Sequence, residues 1–258
     1  MIISDPWFYV TAIPAVLIFG IGKGGLGGAL GVVAVPLMSL SVSSTQAAAI
    51  LLPILCVMDG FAVKQHYRHV DTMLLRKMLP GAVLGVAIAG MVMSYSSENW
   101  LKIVVGSLCL LFCGHYFFTL FVMGKKKLNP TSKYDRLLAF FWSGLSGFSS
   151  TTIHAGGGPA SIYLLPLKLD KVTLIATMAV FFSVVNVFKL FPFYLLGQFD
   201  SSNLMTALIL IPLAPIGVKL GVGILYRVSQ ETIYHACYLL LFISGTKLFA
   251  TGIYSVLG

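Results

Sequence analysis

The sequence predicts an all-α polytopic membrane protein made of two pseudo-symmetric repeats, and three observations carry that prediction. Hydrophobic residues make up 58% of the 258 and charged residues only 10%, against roughly 25% charged in ordinary soluble domains; mean hydropathy is +0.94. The apolar stretches run for about 20 residues without two-residue alternation, the pattern of helices that satisfy their own backbone and not of a β-barrel. Features of the first half then recur in the same order in the second, about 130 residues later, a period typical of transporter halves.

The net charge of +9 is concentrated in short connecting segments. That suits the excess of basic residues in cytoplasmic loops, and no nucleic-acid partner is expected. Cys56, Cys109, Cys113 and Cys237 fall in apolar stretches without metal-ligand spacing and read as small packing residues. No metal or other cofactor is expected, and no Walker pattern calls for ATP. No basic residue precedes Lys23, so the first apolar segment lacks the start of a cleavable signal peptide and is expected to stay in the mature protein.

The first segment, residues 7–40, is long enough for one tilted span or for two half-helices. Within it, residues 20–36 set a glycine cluster and one lysine in apolar surroundings. Glycine weakens a helix by about 1 kcal/mol, and a lysine at bilayer centre costs about 2.5–3.5 kcal/mol. Both are explained if the helix is interrupted there. Free amides of Gly24, Gly25, Gly27 and Gly28, together with Lys23, then form a positive pocket at membrane depth. Helices are predicted next at about 45–66, 74–94 and 100–122. A basic link follows, and its charge run reads as a solvated cytoplasmic loop.

The second half opens on another interrupted segment, residues 136–167. Here Ser149, Ser150, Thr151, Thr152 and His154 precede Gly156, Gly157 and Gly158, and Pro159 suits the first position of a new helix. Helices follow at about 172–196, 202–226 and 231–253. The chain thus reads as one transmembrane domain over residues 1–258, with repeat 1 at about 7–122, a linker at 123–135 and repeat 2 at about 136–255. Each repeat holds a broken or re-entrant helix pair and three transmembrane helices. Setting Pro36 on Pro166 brings Asp59 opposite Lys189; Gly85 then falls near Gly217 and Asp71 near Asp200. If both interrupted segments are hairpins, the basic residues between Arg68 and Lys77 and between Lys125 and Arg136 share the inner side with Lys168, Lys171 and Arg227, leaving Lys102 outside. Each half then has an odd number of crossings, so the repeats are inverted and both termini lie outside.

These polar residues suggest an anion site. Lys23 supplies a point charge, with a helix-end lysine snorkelling to the head groups as the alternative. His154 donates a hydrogen bond or carries a coupled proton, or else satisfies a backbone carbonyl. Among the four hydroxyls Thr151 and Thr152 are taken as site residues, and Asn186 shares a helix face with Lys189. Asp59 and Lys189 are the coupling or gating residues, as a buried ion pair or as vestibule lining. Trp7, Trp100 and Trp142 read as interfacial anchors.

Gly24-Gly-Leu-Gly-Gly28 with Val35-Pro36, the Arg68-His-Val-Asp71 loop, residues 147–159 with Leu165-Pro166, and Asn186-Val-Phe-Lys189 followed by Gly197-Gln-Phe-Asp200 together resemble the sulfite exporter TauE/SafE family over nearly the whole chain. The resemblance implies a multi-pass permease of the bacterial inner membrane that moves sulfite or a small organosulfonate. The expected activity is secondary transport by alternating access, with Asp59 or His154 available for proton coupling. The expected partners are the small anionic substrate and the lipid bilayer, and a homo-oligomer is compatible with this reading. Two rivals are a passive anion channel and a rhomboid-like serine hydrolase, the latter suggested by Gly144-Leu-Ser-Gly147.

Overall fold

The computed structural model describes residues 2–25, 30–95, 97–118, 135–164, 167–227 and 229–257. Among them are eleven α-helices, one 3₁₀ turn and no strand. Gly27, Gly28, most of the basic linker, Leu165 and Pro166 lie outside the described residues, as do the side chains of Lys102, Cys109, His115, His235 and Cys237.

Helix α1 (Pro6–Gly25) is followed after the glycine tract by the short α2 (Gly31–Met38), then α3 (Ser44–His66), α4 (Thr72–Tyr95) and α5 (Glu98–Phe118). The second half runs α6 (Asp135–Ile153), the short α7 (Gly157–Leu164), α8 (Lys171–Leu195), α9 (Ser201–Leu210), α10 (Leu213–Arg227) and α11 (Gln230–Leu257). Among the described residues four helices are long and apolar enough to cross a membrane alone: α1, α3 with its 3₁₀ extension, α4 and α8; α9 with α10 makes a fifth as a bent pair. The span predicted at 202–226 is therefore corrected to two pieces at an angle of 46°. Pro212, which has no N–H to bond the preceding turn, stands in the break.

Caps fix the helix starts. Ser43 accepts from the amide of Gln46, Asp71 from those of Met73 and Leu74, Asp170 from those of Val172 and Thr173, and Asp200 from that of Asn203. Each satisfies amides that have no partner inside the helix. Helix α8 stops where Gly197 turns left-handed (φ 66), with Gln198 N bonded to Phe193 O and Gly197 N to Tyr194 O, both at 3.0 Å.

Both interrupted segments are hairpins, each pairing a full-length helix with a short one. Gly31 abuts the Phe19 ring and Leu30 abuts Gly22, while Ser41 Oγ lies 3.0 Å from Thr11 Oγ1, so α2 and the turn after it run back along α1. In the second half Tyr163 near the end of α7 donates to Asp135 at the start of α6 (2.9 Å). At 1.5 Å per residue α1 and α6 are each about 30 Å long, and α2 and α7 about 12 Å.

Helix α1 packs most extensively on α10, α6 on α4, α5 on α11 and α3 on α8. A methyl added at Gly24 or Gly25 would meet backbone oxygens of α10 at 2.1 and 2.0 Å, and one at Gly81 or Gly85 would meet those of α6 at the same distances. These small-residue crossings let backbones touch where lipid gives no hydrophobic drive to association. Helices α3 and α8 are antiparallel, with Gln46 bonded to Asn203 at one end and Asp71 N to Thr177 Oγ1 at the other. The second of these ends gathers Lys64, Arg68, Arg76, Lys77, Arg136, Lys168, Lys171 and Arg227, whereas the first holds Asp5, Glu98 and Asp200.

The outer faces of α4, α8, α9 and α10 expose large apolar side chains such as Met91, Phe191, Leu208 and Leu220, as a lipid-facing surface requires. Trp7 and Trp100 are exposed near helix ends. Trp142 is not an end residue: it packs from the body of α6 against both apolar cores. Cys56 carries a free thiol.

Candidate functional site

The ends of α1 and α6 meet beside the α3–α8 crossing, and a chain of buried polar side chains joins them. Lys23, near the end of α1, forms an ion pair with Asp59 Oδ1 on α3. Asp59 Oδ2 accepts from Asn186 Nδ2 on α8 at 2.6 Å, and Asn186 Oδ1 accepts from Lys189 Nζ at 2.9 Å. Lys189 Nζ also lies 2.6 Å from His154 Nδ1 and donates to Ser150 Oγ at 3.3 Å. His154 Nε2, 3.0 Å from Ala48 O, closes the chain on the backbone of α3. Relative exposure is 4% for Lys23, 1% for Asp59, 2% for Asn186, 3% for His154 and 0% for Lys189. Charges this deep are tolerated when each polar atom has a partner, and among the described residues no buried side-chain nitrogen or oxygen lacks one.

Local sequence explains the convergence. Asn186 and Lys189 are three residues apart and so share one face of α8. His154 ends α6 in the left-handed region (φ 57), a position that usually favours glycine. A carbonyl can only accept, so the proton of the ring sits on Nε2 facing Ala48 O, and Nδ1 takes the lysine. The ring also lies 6.3 Å from Phe193, near-parallel to it, and meets Phe19 edge-on. Lys23 stands 5.4 Å from the centre of the Phe182 ring, a cation–π contact. The free space bounded by Phe19, Lys23, Leu55, Ser150, His154, Gly157, Phe182 and Asn186 is about 10 Å³, room for about one water.

Six of the sequence candidates therefore stand at this junction: Lys23, Asp59, His154, Gly157, Asn186 and Lys189. Others stand apart. Asp59 and Lys189 are not an ion pair; Asn186 bridges them and Lys23 holds the carboxylate. Thr151 and Thr152 bond back to Gly147 O (2.8 Å) and Phe148 O (3.2 Å) of their own helix. The hydroxyl that reaches the cluster is Ser150, because one of four consecutive residues must face inward and α6 turns that one toward α8. Gly24 and Gly25 lie within α1, with α10 against them, so packing accounts for their lack of a side chain. Gly156 is hemmed in by Ser146, Ser150 and Phe182; Gly157 and Gly158 form the first turn of α7. Ser146 of the hydrolase-like motif donates to Gly156 O at 2.7 Å, a structural bond that pins the hairpin. No group of three or more His, Cys, Asp or Glu among the described residues could hold a metal.

The arrangement offers two lysine amines, one carboxylate and neutral donors at the meeting point of both halves, inside a largely apolar helical body. No curated protein and no solved structure matches the chain. The sulfite exporter TauE/SafE profile matches residues 12–248, which takes in the second hairpin, the first from residue 12 onward and every residue of the buried cluster. The chain belongs to the sulfite exporter TauE/SafE family of membrane transporters.

Proposed function

We propose that this protein is a secondary transporter that moves a small sulfur oxyanion, sulfite or an organosulfonate, across the cell membrane by alternating access. The observation that carries the proposal is the buried Lys23–Asp59–Asn186–Lys189–His154 chain, which ties the ends of α1 and α6 to the α3–α8 crossing. Among the described residues Lys189 has no carboxylate in contact, and a bound anion would supply the charge partner that a protonated lysine needs at this depth. The 10 Å³ cavity is too small for a sulfur oxyanion, so loading requires the elements around it to separate. That favours an occluded carrier over an open pore.

The halves act in this reading as inverted repeats. Support comes from their exchanged packing, in which α1 of the first half pairs with α10 of the second while α6 pairs with α4. The matching caps of α4 and α9, Asp71 and Asp200, add to it. The end rich in Lys and Arg faces the cytoplasm by the basic-loop rule, and both termini face outward.

Efflux from vesicles carrying the purified protein tests the function. Wild type should move sulfite with a saturable rate. Lys189→Met should abolish movement, and Ser150→Ala should weaken it more than Thr151→Ala does. Rates that never saturate, or a Lys189→Met protein as active as wild type, would refute the proposal.

A further inference from the structure

We infer that Lys189 carries a proton that enters the site with the anion and leaves with it, so that the two are moved as a pair. This rests on the reading of the cluster as the anion site and adds the coupled ion to it. Lys189 is fully buried, and its nitrogen has three partners among the described residues: Asn186 Oδ1 at 2.9 Å, His154 Nδ1 at 2.6 Å and Ser150 Oγ at 3.3 Å. None of them is a carboxylate. This set of partners closes with the proton on or off. An ammonium donates three hydrogens, and the amide oxygen, the ring nitrogen and the hydroxyl oxygen each accept one. A neutral amine has two hydrogens and a lone pair; the Ser150 hydroxyl, whose one side-chain bond among the described residues is to this lysine, then turns its own hydrogen onto the lone pair.

Hydrogen bonding thus leaves the protonation of Lys189 to charge alone. An ammonium withdrawn from water with no opposite charge beside it is costly, and losing the proton removes that cost. An anion beside it removes the cost as well, so proton and anion favour each other's binding by the same factor. The step balances: a proton from water on the loading side forms an N–H bond at the Nζ lone pair, its positive charge stands against the negative charge of the anion, and both are given up on the other side. All three partners of Lys189 line the small cavity beside Lys23, so the space that loading must widen adjoins the amine. The other groups facing Lys189 are committed elsewhere. Helix α1 brings Lys23, paired with Asp59; α3 brings Asp59, whose oxygens accept from Lys23 and Asn186, and the thiol of Cys56. His154 turns Nε2–H onto Ala48 O and Nδ1 toward the amine, and imidazole is a weaker base than lysine. Helix α4 presents apolar side chains and Ser94 to this stretch of α8.

Methanesulfonate tests the inference, because its own charge does not change with pH. Its binding to the full-length protein in detergent is measured by calorimetry in two buffers of different ionisation enthalpy, which reads the protons taken up per anion bound. Wild type should take up about one proton per anion at about pH 8, and above that its affinity should fall about tenfold per pH unit. Lys189→Arg holds a permanent cation and should bind methanesulfonate without proton uptake and with an affinity flat in pH. Should that variant fail to fold, His154→Asn serves: asparagine tolerates the left-handed backbone at φ 57, and this protein should bind more weakly yet still take up the proton. Wild-type binding with no uptake between about pH 6 and 9, uptake that persists in Lys189→Arg, or uptake lost in His154→Asn with binding retained would each overturn the inference and leave the anion site standing. Wild type that binds no methanesulfonate would overturn the anion site as well.

Discussion

Replacing Gly25 with alanine separates two roles for the first glycine tract. Alanine keeps the backbone amide, so an anion held by that amide would be little affected. The new methyl, however, would stand 2.0 Å from Gly221 O on α10, where ordinary contact begins at 3.4 Å. Helices α1 and α10 would have to part by about 1.4 Å, and overpacking of this kind costs about 1–3 kcal/mol. Lys23 lies two residues away on the same helix and is tied to Asp59, so the displacement reaches the site. A misplacement of about 1 Å in a positioned group can cost about 100-fold in rate. The expected result for Gly25→Ala is a lowered unfolding midpoint in detergent and at least about a tenfold loss of sulfite efflux. Gly223→Ala on α10 is the control: nothing lies within 4 Å of its added methyl, and helix propensity favours alanine by about 1 kcal/mol. A Gly25→Ala protein with wild-type midpoint and wild-type efflux would refute the packing argument.

Two further predictions concern the basic end. Asp135→Ala leaves Lys77 and the Tyr163 hydroxyl without the carboxylate that joins them at 2.6 and 2.9 Å; it should destabilise the protein by about 3 kcal/mol, and Tyr163→Phe by about 1 kcal/mol, both read from unfolding midpoints. At the start of α8, hydrogen bonds from the Thr173 side chain and amide, and from the Val172 amide, hold the Asp170 carboxyl below the usual carboxylate range. Its stabilising contribution is thus present above the unfolded-state value and lost as pH falls through the folded-state value. Asp170 is exposed, so the contribution stays below about 1 kcal/mol. Asp170→Asn should flatten the acid limb of midpoint against pH and leave the neutral region nearly unchanged.

Helix limits were legible because their signals are local. Ser43, Asp71, Asp170 and Asp200 each precede an apolar run and each caps it, and both glycine tracts mark a reversal of the chain. The polar members of the buried cluster were legible too, since Lys23, Asp59, Asn186 and Lys189 stand alone in apolar surroundings and lipid makes such residues expensive. Their pairing was not. Asp59 lies 36 residues from Lys23 in sequence, and only the rotation of α1 and α3 about their axes decides whether it meets that lysine or Lys189. The four hydroxyls from Ser149 to Thr152 cover every side of a helix, so composition could not single out Ser150. Glycine serves close packing and exposed amides equally well, which hid the part α10 plays against Gly24 and Gly25. The bend at Pro212 lies inside one continuous apolar stretch, which hydropathy alone does not divide.

Helices α5 and α11 lean chiefly on each other, with Gly106 against Phe249 and Gly252 against Ile103, and they reach the rest of the molecule largely through α2 and α7. Those two eight-residue rods are the returning arms of the hairpins that carry Lys23 and His154. A thicker or thinner bilayer that tilts the peripheral pair therefore pulls on both hairpins at once. Turnover should accordingly respond to acyl-chain length in the surrounding lipid, with the α5–α11 pair serving as the lever.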